Sequence, residues 1–301
     1  MDKKRIFITG AGGFVGDHLS RYFLDKGHSV TGVDLADSSF IADQDGFTYL
    51  SADTTKEGQW QAHAADADVV INLAGKSIFS LWTKTVKRQI HDSRILTTRN
   101  LVKSLPANRR LTFINASAAG YYGNQGDDFL DETRPPGEGF LAGICKDWEN
   151  EALKAQSAEK RVVITRFGLV FHQDGGALTV MKPLFRTFLG GRLGSGRQWF
   201  SWVHLQDLMN VMHFVIEHEA LSGPVNVCSP GIVTNREFTR ILSRRLKRPA
   251  PFVVPAFVFN HLLGDIGKSL LQSQKMIPAK LLKFGFQFRF PGLDDALADI
   301  L

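Results

Sequence analysis

The chain has 301 residues, 44% of them hydrophobic and 22% charged. That composition fits one large globular domain or two smaller ones, and the chain shows no repeat and no low-complexity segment. The formal net charge is +6 with both signs interspersed, and the densest basic run, Arg244, Arg245, Lys247 and Arg248, falls on an amphipathic pattern that reads as a solvated face rather than a nucleic-acid or phosphate site.

The first element is a strand, "RIFITG", which follows the N-terminus with no apolar leader or cleavage signal. It runs into "GAGGFVG", where Gly10, Gly13 and Gly16 stand three apart and open a helix. Glycines there permit a tight turn, let backbone N–H groups approach a pyrophosphate, and put it at the positive end of the helix. Gly10, Gly13, Phe14, Val15 and Gly16 are therefore the expected dinucleotide contacts. The helix "GDHLSRYFLDKG" ends on Gly27, a C-cap residue. The second strand, "SVTGVDL", ends on Asp34, 24 residues after Gly10. A carboxylate there accepts from an adenosine ribose diol and repels a 2′-phosphate. No Lys or Arg occurs from Leu35 to Ile41. The expected cofactor is NAD, in preference to NADP.

"FTYLSAD" and "DVVINLAG" follow as strands three and four, then the long amphipathic helix "TKTVKRQIHDSRILTTRNLVKSL", stopped by Pro106. Asp53 could face the adenine, and the small residues of Leu73-Ala74-Gly75 admit a cofactor close to the backbone. "LTFINAS", "VVITRFGLVF" and "PVNVCS" complete seven apolar runs, unbroken rather than alternating, as in a parallel sheet buried on both faces. Phe167 and Gly168 end the sixth. The fold class is α/β: a Rossmann-like doubly wound sheet of about seven strands with a smaller, mainly helical C-terminal lobe. The expected division is a cofactor domain of residues 1–171 and 204–228 and a substrate lobe of residues 172–203 and 229–301.

The signposts "TGAGGFVG", "NLAG", "ASAAGYYG" and "WVHLQDL" resemble the extended short-chain dehydrogenase/reductase superfamily of NAD-dependent epimerases and dehydratases. "LAGKSI", Ser93-Arg94, "FLAGICKDWE", "LGGRLGSGRQWFSWVHLQDL" and the tail "QKMIPAKLLKFGFQF" with "ALADIL" resemble one subgroup, the epimerase-family proteins with a helical C-terminal extension, often called nucleoside-diphosphate-sugar epimerases. By that resemblance Arg94 reaches back to the cofactor, and the partner is a small carbonyl-bearing or sugar-like substrate. Relatives in the subgroup can carry a Ser-Arg pair where this chain has Asp34, and then prefer the phosphorylated cofactor.

The superfamily's chemistry uses a tyrosine as proton donor, a lysine four residues later on the nicotinamide ribose, and a serine on the substrate oxygen. Aligning on Tyr122-Gly123 puts Ala118 at the serine, with Ser117 one residue early and so on the other face of a strand. Aligning on Lys146 puts Ala142 at the tyrosine; aligning on Glu149 puts Leu141 there and Cys145 at the lysine. Neither register supplies a phenol. The candidate catalytic residues are Tyr121, Lys146 and Ser117. Tyr122 reads as packing, His204 as a core or loop histidine before a catalytic one, and Asp207 as a helix cap. Phe200 stands where an epimerase's diphosphate-gripping arginine would be, with Arg197 nearby. The alternative to an enzyme is a dinucleotide-binding sensor or regulatory protein.

Cys145 and Cys228 have no metal-ligand spacing, and no run of about 20 apolar residues occurs. The expectation is a cytoplasmic protein with no metal, no nucleic-acid partner and no membrane partner, either monomer or homodimer.

Overall fold

The computed structural model describes residues 3–39, 41, 44–255, 257 and 264–301. Strand and helix alternate first as β1 (Arg5–Thr9), α1 (Phe14–Asp25), β2 (Ser29–Asp34), β3 (Phe47–Ser51), α2 (Trp60–Ala65), β4 (Val69–Asn72), α3 (Lys84–Ser104) and β5 (Leu111–Ala118). Then come β6 (Phe129–Leu130), α4 (Phe140–Leu153), β7 (Lys160–Phe167), β8 (Leu169–Phe171), α5 (Ala177–Arg186), β9 (Gly191–Leu193), β10 (Trp199–Phe200), β11 (Trp202–His204), α6 (Leu205–Glu217) and β12 (Gly223–Val227). The last elements are β13 (Val233–Thr234), α7 (Asn235–Leu246), β14 (Phe252–Val254), α8 (Asp265–Leu270), β15 (Lys275–Met276), α9 (Ala279–Lys283) and α10 (Leu293–Ile300).

The seven apolar runs form one parallel sheet in the order β12-β7-β5-β4-β1-β2-β3. Winding reverses between β1 and β4, and in such sheets ligands bind beyond the strand ends at the reversal. The helix signals read from the sequence hold locally. Gly27 adopts φ 83° just after α1 and donates to the Leu24 carbonyl at 2.8 Å. Thr83 caps α3 by accepting from the Val86 N–H at 3.2 Å.

The chain divides into two compact units. The first comprises Met1–Ser117, Lys146–Thr165 and Met212–Pro224; the second comprises Ala118–Cys145, Arg166–Val211 and Val225–Leu301. The first is held by a core around Phe7, Trp60, Leu101, Phe113 and Ile164. The second is centred on Trp202, stacked on Phe171 at 5.8 Å, with Phe238, Leu242, Leu293 and Leu297. Besides its helices the second unit carries the strand pairs β10–β13, β11–β8, β14–β9 and β15–β6, so its described part is less purely helical than the sequence pattern implies. These strands are two or three residues long, too short to show a period of two.

His28 and His213 lie buried in the first unit beside Tyr22. Burial holds both imidazoles below the ordinary histidine value; their mutual repulsion and Lys4 add to this at His28, while Glu217 opposes it at both. In the unfolded chain each takes a proton near pH 6.5, but in the folded chain only at lower pH. Stability is therefore full above about pH 6.5 and falls as the pH drops toward the depressed folded values. The thermal midpoint is expected to fall between pH 7.5 and 5.5, with a shallower slope in His213→Phe; equal slopes would remove this pair from the pH response.

Candidate functional site

The glycine loop is shaped by β4. Gly10 has φ 73°, and a Cβ on it would stand 2.9 Å from the Ala74 nitrogen and the Leu73 carbonyl carbon, so no side chain fits there. Gly13 precedes α1 without a side-chain cap, which leaves the helix's positive end to an external anion. Phe14 and Val15 are half-buried in the first turn, and Gly16 packs under the Gly10 carbonyl. Asp34 leans over this loop: Oδ2 accepts from the Gly12 N–H at 3.0 Å and Oδ1 from the Leu35 N–H at 2.7 Å. Asp37 follows closely, and after burial the charges of Asp34 and Asp37 both push the Tyr49 phenol up. Asp53 accepts from the Thr55 hydroxyl at 2.6 Å and pairs with Lys56 at 3.3 Å, which hold its carboxyl below the usual range.

Behind the loop the strand ends are locked by polar side chains. The Thr9 hydroxyl donates to Asn72 Oδ1 at 2.6 Å, and Asn72 Nδ2 donates to Asn115 Oδ1 at 2.7 Å and to Thr98 Oγ1 at 2.8 Å. The indole of Trp148 donates to the same Thr98 oxygen at 2.9 Å. The Ser93-Arg94 pair grips the chain beyond β4. Ser93 Oγ accepts from the Lys76 N–H at 2.9 Å, and Arg94 donates to the Lys76 carbonyl at 3.0 Å. The Arg94 guanidinium occupies the space a Cβ on Gly75 would need, at 2.8 Å, and lies 5.2 Å from the Trp148 ring. It is thus no solvated surface arginine: it braces the Leu73-Ala74-Gly75 segment. The sequence pass missed this network, although its signal was present. "VIN" and "FIN" carry an asparagine at the same register of neighbouring strands, Asn72 beside Asn115.

Helix α4 shows its register. Ala142, Cys145, Trp148 and Glu149 are buried, whereas Lys146 and Asn150 are exposed. A Cβ on Gly120 would come within 3.9 Å of the Cys145 sulfur. The buried face of α4 therefore carries Ala142, Cys145 and Glu149, and Lys146 lies about 100° round the helix from Cys145. The Ser117 hydroxyl donates to Glu149 Oε1 at 2.6 Å, both residues buried. Ser117 thus points at the helix, as its one-residue offset from Ala118 predicts.

In the second unit Tyr121 is half-buried, with the Arg166 guanidinium 3.5 Å from its ring centroid. Tyr122 is fully buried. Its oxygen accepts from Arg166 at 2.9 Å and donates to Asn226 Oδ1 at 2.7 Å, and burial pushes its phenol far above the ordinary value. Phe167 is half-buried, ahead of Gly168. His204 accepts from the Gln206 N–H at 3.0 Å through Nδ1, its Nε2 lies 3.3 Å from Asp299, and burial lowers its pKa against that carboxylate's pull. Asp207 is not the helix cap. It is buried in the first turn of α6 and accepts from the Arg289 and Phe290 N–H groups at 2.8 and 2.9 Å, tying down the C-terminal segment. Phe200 belongs to the core against Phe238, and Arg197 is exposed.

The profile of the NAD dependent epimerase/dehydratase family matches residues 6–228. The chain belongs to that family. A second profile, a domain of unknown function, matches residues 254–300, the tail that set the subgroup apart in the sequence. An epimerase family protein of Mycobacterium leprae is 42% identical over 81% of this chain and 80% of its own. A chloroplastic epimerase family protein of Arabidopsis thaliana is 34% identical over 98% and 86%. Among solved structures, a human epimerase family protein with NADPH superposes with a TM-score of 0.86 at 30% identity, covering 98% of both chains. A nucleoside-diphosphate sugar epimerase of Corynebacterium glutamicum gives 0.80 at 30% identity, covering all of this chain and 58% of that one. The family is NAD(P)-binding, and the loop here fits such a cofactor: small residues, a helix end without a side-chain cap, and a carboxylate at the second strand. No described helix is long and apolar enough to cross a membrane.

Tyr122→Phe removes one hydroxyl on which Arg166 and Asn226 both depend. Leaving buried polar partners short costs about 1–3 kcal/mol. The variant is expected to lose that much in denaturant unfolding with NADH affinity unchanged; unchanged stability would contradict the buried-bridge role.

Proposed function

We propose that the chain is an NAD(H)-linked oxidoreductase or epimerase-like enzyme acting on a small carbonyl-bearing or sugar-like substrate without the superfamily's Ser–Tyr pair. The observation that carries the cofactor is Asp34, pinned by two backbone N–H groups at the mouth of the glycine loop. The contacts we assign to it are Gly10, Gly13, Phe14, Val15, Gly16, Asp34, Asp53, Leu73, Ala74, Gly75 and Phe167, with Arg94 as the brace of the Leu73-Ala74-Gly75 segment. The cofactor supplies hydride chemistry; the chain's own part is to bind it and to move one proton. We assign the cofactor domain to residues 1–171 and 204–228 and the substrate lobe to residues 172–203 and 229–301.

The choice between NAD and NADP turns on charge. The human relative was solved with NADPH. In this chain a 2′-phosphate would meet Asp34, with Asp37 close by and no Lys or Arg from Leu35 to Ile41. Two unit charges 4 Å apart repel by about 1 kcal/mol in water and about 4 kcal/mol at an effective dielectric of 20. NADH is expected to bind at least about tenfold tighter than NADPH by titration calorimetry, and Asp34→Ser to narrow or reverse the gap. Equal or tighter NADPH binding by the natural chain overturns the assignment.

For the proton donor we propose Tyr121, a half-buried phenol with the Arg166 guanidinium 3.5 Å from its ring centroid. Lys146, exposed on α4, is a weaker assignment to the ribose than the sequence register implies, and the Ser117 hydroxyl donates its hydrogen bond to Glu149. That last bond favours the second reading, a dinucleotide-binding sensor. The two readings separate in one assay of NADH consumption across a panel of carbonyl substrates. The enzyme reading expects turnover that Tyr121→Phe lowers by about 10²–10⁴-fold, the usual loss for a positioned acid/base. Full activity in Tyr121→Phe excludes that residue, and tight NADH binding without any turnover establishes the sensor.

A further inference from the structure

The second unit contains a groove of about 600 Å³ whose lining includes Arg192, Arg236, Arg240 and Arg244 together with Ala250, Pro251, Phe252 and Val253. Nothing in the cofactor reading uses it. Arg236, Arg240 and Arg244 recur every four residues on α7 and so share one face, a like-charge spacing that destabilises a helix by itself. Arg192 comes from β9, which pairs with β14 and sets Arg192 beside Val253.

These charges are poorly compensated by the protein. Arg244 reaches Asp294 at 2.7 Å, but Arg245 takes the other oxygen of the same carboxylate at 2.6 Å. Among the described residues no carboxylate pairs with Arg192, Arg236 or Arg240, and no acidic residue lines the groove. The buried Nε of Arg192 has no hydrogen-bond acceptor among them. The hydroxyl-bearing Thr239 and Ser243 stand between the guanidiniums. In the same lining Phe252 is 55% and Val253 47% exposed, so apolar surface accompanies the guanidiniums.

We infer that this groove is a second anion site, for a phosphate-bearing ligand with an apolar or aromatic part. Guanidinium forks match phosphate oxygens in pairs, and a concave wall of one sign concentrates the field more than a solvated helix face does. The volume suits a small molecule. The site lies wholly in the second unit and shares no lining residue with the dinucleotide cradle. The phosphate is carried by a free metabolite or by a lipid headgroup; the chemistry recognised is the same.

The test is calorimetric titration of the full chain at low salt with 1-naphthyl phosphate and with inorganic phosphate, beside co-sedimentation with phosphatidylcholine vesicles with and without phosphatidylserine. Naphthyl phosphate is expected to bind at least about tenfold tighter than inorganic phosphate, since burying its ring against Phe252 and Val253 removes apolar surface from water, and to weaken with salt. Arg236→Ala with Arg240→Ala is expected to lower that affinity at least about tenfold while NADH binding stays as it was. Both side chains are exposed, so the melting temperature should hold; should it fall, Arg240→Gln alone serves in its place. Vesicle binding that needs phosphatidylserine and both arginines, without binding of the soluble phosphate, assigns the lipid source. No saturable binding of either kind, or binding indifferent to the substitutions, overturns the site.

Discussion

The side-chain amide of Asn72 is buried at the end of β4, out of reach of water, and every polar atom it carries must be satisfied by the protein. Thr9 supplies the donor, and Asn115 and Thr98 supply acceptors, so β1, β4, β5 and α3 are joined through one side chain. Trp148 brings α4 to the same point through Thr98. Because a buried unmet donor or acceptor costs about 1–3 kcal/mol, this rung fixes the relative heights of the strand ends. The glycine loop rests on it: Gly10 can lie against Leu73 and Ala74 only if β1 and β4 end in register, as Thr9 and Asn72 do.

From that edge the cofactor cradle is assembled mostly by backbone. Ser93 and Arg94 hold the N–H and the carbonyl of Lys76, which keeps Gly75 against the guanidinium. Asp34 is held by two N–H groups of its own neighbourhood. The second unit carries a comparable internal joint in Tyr122, where Arg166 and Asn226 meet, and Glu132 closes it by accepting from the Asn226 and Lys280 N–H groups at 3.1 Å each. Burial raises the Glu132 carboxyl, and those N–H donors pull it back.

The sheet was legible because strands buried on both faces leave unbroken apolar runs, and all seven were readable. The loop was legible because glycine spacing is a backbone requirement written in residue type. The short strand pairs of the second unit were not, since two or three residues carry no period. Asp207 was misread for a related reason. A carboxylate at the head of a helix looks like a cap, and only the fold shows the chain returning at Arg289 and Phe290 to claim both oxygens. The Ser117–Glu149 bond joins residues 32 positions apart, beyond any local pattern, although the strand's alternation had already turned Ser117 away from the superfamily position.

The difference between cofactor binding and proton transfer follows from the same physics. A pyrophosphate is held by several N–H groups and a helix end, so the cradle tolerates any side chains that leave the backbone in place. In the superfamily that the sequence resembles, proton transfer depends on one side chain at one point of the corresponding helix, and a rotation of 100° per residue separates Cys145 from Lys146. In this chain the buried positions of α4 are held by alanine, isoleucine, cysteine, tryptophan and glutamate, which pack or accept hydrogen bonds and provide no phenol. A fold can therefore keep its dinucleotide site intact while its acid moves to another element or is lost. Tyr121 itself packs half-buried against Tyr122 and the second unit's smaller core, with the Arg166 guanidinium over its ring.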